Sequence, residues 1–233
     1  MRVDLIETKT LREQAYRKIK KLILQNDFMP GEYLSINSLA TALGISHTPV
    51  REALARLQTD GLIHYESHKR LRTSDITEED VSQVYDVRKI LEPHAVTLVI
   101  ASLSKDSRLV ATVERLREKA EEISKATPEE ISFEEYMQID FTLNDIFTEA
   151  AGKTLFHDVL TLVEDRSLRI RMFAESASKN NSSNMIHSIT KEHLEIIDAL
   201  LERNTAEAKA AVLNHLKNGE LRTLETIKIR LKS

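Results

Sequence analysis

Apolar residues return at the 3.6-residue spacing of an α-helix along most of this chain. The pattern runs from Leu11, Ala15, Ile19, Leu22 and Ile23 near one end to Ala208, Ala211 and Val212 near the other. Only 5 Gly and 4 Pro interrupt 233 residues, so long helices joined by short turns are expected. At 41% hydrophobic and 30% charged, the chain is too apolar for disorder and too charged for a membrane protein. No run of about 18 apolar residues is present, which excludes a spanning helix. The opening MRVDLIETKT lacks an apolar signal core, and the absence of Cys removes disulfides, thiolate zinc sites and thiol catalysis. The expected compartment is the cytoplasm.

Charge and punctuation divide the chain. Residues 1–75 carry 12 Lys and Arg against 9 Asp and Glu, and the remainder carries 21 against 28. A basic head on an acidic body suits a polyanionic partner, although an imbalance this small also arises by chance. Three of the turn glycines, Gly31, Gly44 and Gly61, lie in the head. We expect a head domain over 1–76 and an all-helical domain over 77–233.

In the head, Leu11–Leu24 reads as an amphipathic helix stopped by Phe28-Met29-Pro30-Gly31. Ser35 is positioned to cap a second helix through Leu39, Ala40 and Leu43, which Gly44 ends. Ser46 or Thr48 starts a third, with Pro49 in its first turn and Val50, Ala53, Leu54 and Leu57 on its buried face. Two strand-like stretches follow, Leu62–Tyr65 and Leu71–Ser74, flanking a basic hairpin tip with Lys69 and Arg70. Helix, three-residue turn, helix and wing is the winged helix-turn-helix order. The start of the third helix would present His47, Thr48 and Arg51 to base edges in a major groove, with Arg51 able to grip guanine bidentately. A salt bridge from Arg51 to a neighbouring carboxylate is the alternative.

The body reads as six helices, over about 77–102, 106–125, 128–151, 154–177, 184–203 and 206–231, forming a bundle. Thr77 and Asp80 form a capping-box pattern. The stripe Val81, Val84, Leu91, Ala95 and Leu98 of the first body helix includes Arg88, with Glu92 one turn on. On the third, Asp140 and Asn144 lie on the stripe of Phe133, Met137, Leu143 and Phe147, four residues apart and therefore on one side. His193 aligns with Ile196, Ile197 and Leu200 on the fifth helix, and His215 with Ala208, Ala211 and Val212 on the sixth. A buried carboxylate needs a cation or several hydrogen bonds. Carboxylate and imidazole together suit a divalent metal such as Zn, Ni or Mn. Separate core residues, each satisfied by its own hydrogen bonds, are the other reading of the same spacing. His94, His157 and His187 have no such set of partners and read as surface or boundary residues.

The stretch LSINSLATALGISHTPVREALARLQTDGLI, and within it TPVREAL followed by L-x-x-x-GLI, resembles the GntR-type winged-helix repressors over about residues 8–75. The resemblance implies that Thr48, Arg51 and the wing tip with Lys69 and Arg70 contact double-stranded operator DNA, and Ser35 and His47 are further candidate contacts. His47 stands where the family often has Arg, and His68-Lys69 where it usually has a wing Gly. Residues 78–225 resemble the FCD ligand-binding domain of the FadR subfamily. The resemblance is carried by Val87-Arg88-Lys89-Ile90-Leu91-Glu92, Asp140-Phe141-Thr142-Leu143-Asn144, Glu192–Ala199 and Asn214-His215-Leu216. It implies a divalent metal held by Asp140, His193 and His215, with Asn144 in the place of a family His. An amide oxygen is a harder and weaker ligand than imidazole, so affinity should fall.

Arg88 and Arg169 lie on inner stripes and can clamp the other end of a small carboxylate effector. Pairing with Glu92 and Asp165, one turn away, is the alternative. The expected function is a homodimeric DNA-binding transcriptional regulator, a repressor, whose operator binding an organic acid controls at the metal site. A metal-dependent enzyme acting on a small acid competes with it, as does a regulator of the metal ion itself. No general base beside the metal set, glycine-rich phosphate loop or serine nucleophile elbow supports the enzyme.

Overall fold

The computed structural model describes residues 10–66, 70–127, 133–175 and 183–231. The wing-tip assignment of Lys69, together with His68, lies outside the described residues, as does most of the loop expected at 176–184. The chain divides into two compact units. The first comprises 1–76 with the segment Leu168–Phe173, and the second comprises 77–167 and 174–233.

In the first unit, α1 (Leu11–Leu24), α2 (Ile36–Leu43) and α3 (His47–Thr59) pack around one apolar core. Thr10 and Ser35 cap α1 and α2 by accepting from the Glu13 and Ser38 amides at 3.3 Å. Gly44 closes α2 at φ +65°, where a side chain would strain the backbone. Ile19, Ile23, Val50, Leu54 and Leu57 are wholly buried. Truncating either core leucine to Ala should cost about 2–5 kcal/mol. Leu11, expected on the buried face of α1, is exposed because it sits at the first helical position, before the helix meets the core.

Strands β1 (Tyr33–Leu34), β2 (Ile63–Tyr65) and β3 (Leu71–Thr73) form an antiparallel sheet in the order β1-β3-β2. Tyr33 pairs with Arg72, and His64 with Arg72 from the other side. At two residues, β1 is too short to show any alternation, which is why sequence pattern misses it. The segment Leu168–Phe173 in this unit packs Leu168 against the head core. Asn26 Nδ2 donates to the Arg169 carbonyl at 3.2 Å.

The second unit contains α4 (Glu78–Leu103), α5 (Ser107–Lys125), α6 (Phe133–Ala150), most of α7 (Leu155–Glu175), α8 (Ser183–Leu201) and α9 (Thr205–Arg230). Helix α4 packs chiefly on α9, α9 on α8, and α8 on α5, while α6 contacts α4, α5 and α8. The Thr77–Asp80 capping box is formed in both directions. The buried face of α4 runs through Val81, Tyr85, Arg88, Glu92, Val96 and Val99. Leu91 and Leu98, expected on it, are only half-buried. Val84 and Ala95 are buried as expected, so the buried face is broader than the expected stripe and takes in Tyr85, Glu92, Val96 and Val99.

Candidate functional sites

The first candidate site is the start of α3. His47, Thr48 and Arg51 are exposed, and their side chains make no hydrogen bond or ion pair among the described residues. Ser46 is the N-cap yet makes no side-chain capping bond, so its hydroxyl is unused as well. Beside it an open depression of about 530 Å³ is lined by Ala40, Thr41, Gly44, Ile45, Ser46 and His47. Ser35 is also exposed, with its hydroxyl engaged in capping α2. The alternative salt bridge of Arg51 is absent among the described residues; its guanidinium is exposed.

The wing base is braced. Glu66 accepts from Arg72 Nη1 at 2.6 Å and Tyr33 Oη at 2.8 Å, which holds its carboxyl below the usual range. Arg72 also donates to Asp75 at 2.7 Å. Arg70 is exposed, 3.8 Å from Glu66, with its guanidinium 4.9 Å from the Tyr33 ring centre. Gly31 lies under this network at φ +77°, a conformation that strains any residue with a side chain, and a Cβ there would sit 2.5 Å from Arg72 Nη2 and push the guanidinium aside.

The second candidate site brings together side chains from α6, α8 and α9. Asp140, His193 and His215 each offer a ligand atom, all within 4.8 Å of one another. His193 Nε2 lies 3.7 Å from Asp140 Oδ1, and the two imidazoles are 4.8 Å apart between ring centres. His193 is wholly buried, and neither ring nitrogen has a hydrogen-bond partner. An imidazole with two orphaned nitrogens is costly in a dry interior, which is where a cation resolves the deficit. Asn144 is half-buried and donates from Nδ2 to Asp140 Oδ2 at 3.4 Å, so its amide touches the same carboxylate.

His215 Nδ1 is 2.9 Å from Glu192 Oε2, and burial pushes its pKa down to about 4 against the pull of that carboxylate. It is therefore neutral at pH 7, the state a metal requires. Burial would push Glu192 up, but hydrogen bonds from Arg222 and His215 outweigh it and bring its pKa down to about 2.

Arg88 is buried at 2% exposure, as its place on the stripe implied, and the pairing alternative describes its surroundings. Its Nε is 2.5 Å from Glu92 Oε1 and 3.4 Å from Glu164 Oε1, and its Nη1 donates to Ser167 Oγ at 3.0 Å. Burial pushes Glu92 up to about 8, with the Glu164 charge adding to it and Arg88 opposing. Arg169 is also buried, but its segment belongs to the first unit, where Nη2 donates to the Ser74 carbonyl at 2.6 Å. The two guanidiniums expected to act together thus fall in different units.

Sequence pattern missed Glu192, Glu164, Ser167 and Arg222. Glu192 directly precedes His193, and a charge beside an inward residue reads as solvated surface. The minor histidines behave as expected: His94 is exposed with its ring edge on Phe156, and His187 Nε2 meets the Ala126 carbonyl at 3.1 Å.

Comparison with known proteins agrees with this architecture. Residues 11–72 match the model for bacterial regulatory proteins of the gntR family, and residues 83–218 match the FCD domain. The chain is 26% identical over 205 residues to the uncharacterized HTH-type transcriptional regulator YdhC of Bacillus subtilis, covering 88% of this chain and 87% of that protein. Among solved structures it resembles E. coli McbR/YncC, with a TM-score of 0.72 and 18% identity over 90% of this chain and 95% of that one. It also resembles the metal-free FCD domain of TM0439, with a TM-score of 0.53 and 15% identity over 67% of this chain and 99% of that one. At such identities the structures speak for the fold. FCD domains bind metal, and Asp140, His193 and His215 are a candidate site of that kind. Fold and relatives are those of transcriptional regulators, which points away from an enzyme. No helix among the described residues is long and apolar enough to cross a membrane. The chain belongs to the gntR family of bacterial regulatory proteins and is a transcriptional regulator that joins a GntR DNA-binding domain to an FCD effector-binding domain.

Proposed function

We propose that this chain is a cytoplasmic homodimeric repressor whose grip on a palindromic operator is set by a small guest at a divalent metal in its helical domain. The DNA-binding domain spans 1–76, and the effector and dimerisation domain spans 77–233. Two copies related by a twofold axis present two α3 helices to two half-sites. Arg51, His47 and Thr48 read base edges, while Ser35, Lys69 and Arg70 meet the phosphate backbone. The supporting feature is exposure: among the described residues His47, Thr48 and Arg51 have no internal partner, and Ser35 and Arg70 are exposed although the first caps α2 and the second lies beside Glu66.

Asp140, His193 and His215 would hold the ion. The single observation that carries this reading is His193, wholly buried with both ring nitrogens unbonded beside the Asp140 carboxylate. An oxygen- and nitrogen-donor set of this kind suits Zn, Ni or Mn. An ion with three protein ligands supplies open positions that a carboxylate oxygen fills. Arg88 would take the guest's other end, whereas Arg169 belongs to the first unit, where it meets the Ser74 carbonyl. A guest shifts the arrangement of the two heads only as far as it binds one arrangement better than the other.

Elemental analysis with native mass spectrometry of the purified chain tests the reading. One divalent ion per chain in a dimer, with an acid released on unfolding, is the expected result. A metal-free monomer that still binds operator would sink it. A second reading, in which the ion itself is the signal, is favoured by one observation: Arg88 is already capped by Glu92 and Glu164, so an acid guest must displace a carboxylate. Operator release by metal alone would select that reading.

A further inference from the structure

The residue that most shapes the metal set is not one of its members. Glu192 on α8 is 7% exposed and accepts four hydrogen bonds, two on each oxygen, all from α9. Oε1 takes Asn218 Nδ2 at 2.9 Å and Arg222 Nη1 at 2.8 Å. Oε2 takes Arg222 Nη2 at 2.8 Å and His215 Nδ1 at 2.9 Å. His215, Asn218 and Arg222 are spaced by three and four residues, so one face of α9 closes on a single carboxylate.

The chemistry of this contact fixes a proton. A carboxylate held bidentately by a guanidinium is ionised and can only accept. The hydrogen on the His215–Glu192 contact must then belong to Nδ1. A neutral imidazole with Nδ1–H carries its lone pair on Nε2, the nitrogen left to ligate. Arg222 fixes the carboxylate in its plane and leaves Oε2 one acceptor position for the imidazole. We infer that Glu192, clamped by Arg222, is a positioning residue that locks His215 in the Nδ1–H tautomer and so presets its Nε2 as a metal donor. The inference rests on the metal reading of Asp140, His193 and His215. It adds a residue that resemblance did not mark as functional, and it assigns Arg222 a role through that residue. Outer partners of this kind typically change metal affinity by about 10–100-fold.

The test uses the metal-free full-length chain titrated with Zn²⁺ against a competing chelator, with long-range ¹⁵N–¹H spectra of the histidine rings. In the wild type the His215 ring should show the Nδ1–H tautomer before any metal is added. Glu192→Gln should mix the tautomers and weaken Zn²⁺ binding about 10–100-fold. Arg222→Gln, which keeps the carboxylate and loosens it, should fall between the two. A role confined to stapling α8 to α9 would lower the melting temperature without moving the tautomer. Zn²⁺ binding by Glu192→Gln within threefold of a binding wild type overturns the inference and leaves the metal reading standing. A wild type without affinity for Zn²⁺ overturns both. Should Glu192→Gln fail to fold, an Nε2–H tautomer in the wild type alone is enough to overturn it.

Discussion

Arg51 and Arg88 are both arginines on helices, and the molecule treats them in opposite ways. Arg51 stands in water at the start of α3 with no partner among the described residues. Arg88 is sealed inside the helical unit between two carboxylates and a serine hydroxyl. The contrast extends to their neighbours: His47 and Thr48 are exposed and unengaged, whereas His193 and His215 are enclosed. A side chain that must meet a large external polyanion gains by staying hydrated and unpaired until the partner arrives. A side chain that shapes an interior site must have its charge balanced in advance, because an unpaired charge in a dry interior is expensive. The first unit is thus built to lose little when its functional residues change, and the second to lose much.

Arg88→Ala is the sharpest way to break that contrast. It would strand Glu92 and Glu164 without their cation, and loss of one partner of a buried ion cluster costs about 3–5 kcal/mol. Urea denaturation of the metal-free chain should show that loss in the body transition. Replacing the pair together, Arg88→Met with Glu92→Gln, should recover most of it. A loss under 1 kcal/mol for Arg88→Ala would mean that the cluster is wet, and the contrast would collapse.

Acidity probes the same cluster more gently. Glu92 is held at about 8 against an ordinary 4.5, so the folded chain binds more protons than the unfolded chain between those values. Stability should therefore fall as pH rises through that window and level off above it. His215 also titrates differently in the two states, but only between about 4 and 6.5. Glu192, brought down to about 2, contributes only below 4.5. Denaturation between pH 6.5 and 8.5 consequently isolates Glu92. The wild type should weaken across it, and Glu92→Gln should flatten the curve. A wild-type curve already flat there would place the proton elsewhere.

How far the residues foretold these sites follows the same division. Periodicity placed Asp140, His193, His215, Arg88 and Glu92 on inner faces correctly, since a helix of known phase determines which side each residue takes. What covers an inward residue is a tertiary fact that phase does not contain. Arg169 shows this: its stripe was right, yet its guanidinium meets the Ser74 carbonyl in the first unit. Glu192 shows the converse, a residue one step from the inward His193 that the neighbouring helix turns into a buried hub. Leu91 and Leu98 are only half-buried while Glu92 is buried, because hydropathy ranks a leucine above a carboxylate wherever the partner is unseen. The caps at Ser35, Gly44 and Thr77 were readable because their partners lie within a few residues. Strand β1, two residues long, carried no pattern to read.

On the exposed side the expected costs are smaller and fall on binding alone. Arg51→Ala should weaken binding to a specific operator by about 1–3 kcal/mol at fixed salt and relax preference at one base pair. Its melting temperature should be nearly unchanged, because a surface substitution away from caps and networks shifts stability by about 0.5 kcal/mol or less. Electrophoretic mobility shifts on operator and scrambled duplexes, read beside thermal melts, check both halves. Equal loss on both duplexes would make Arg51 a phosphate contact instead of a base reader.

Arg70 offers the finest discrimination. It is exposed at the wing base, steered by the Tyr33 ring and the Glu66 carboxylate. A cation placed over a phosphate contributes through counterion release, so its removal should weaken specific and nonspecific duplexes alike. The measurable signature is the slope of log affinity against log salt, which Arg70→Ala should reduce by about one. Glu66→Gln sharpens the point: it frees Arg70 from its carboxylate while keeping an acceptor for Tyr33. If Glu66 merely competes for Arg70, this change should strengthen nonspecific binding at low salt. If Glu66 aims Arg70, binding should weaken, and the wing would then share the preorganised character of the interior site rather than the unpartnered character of α3.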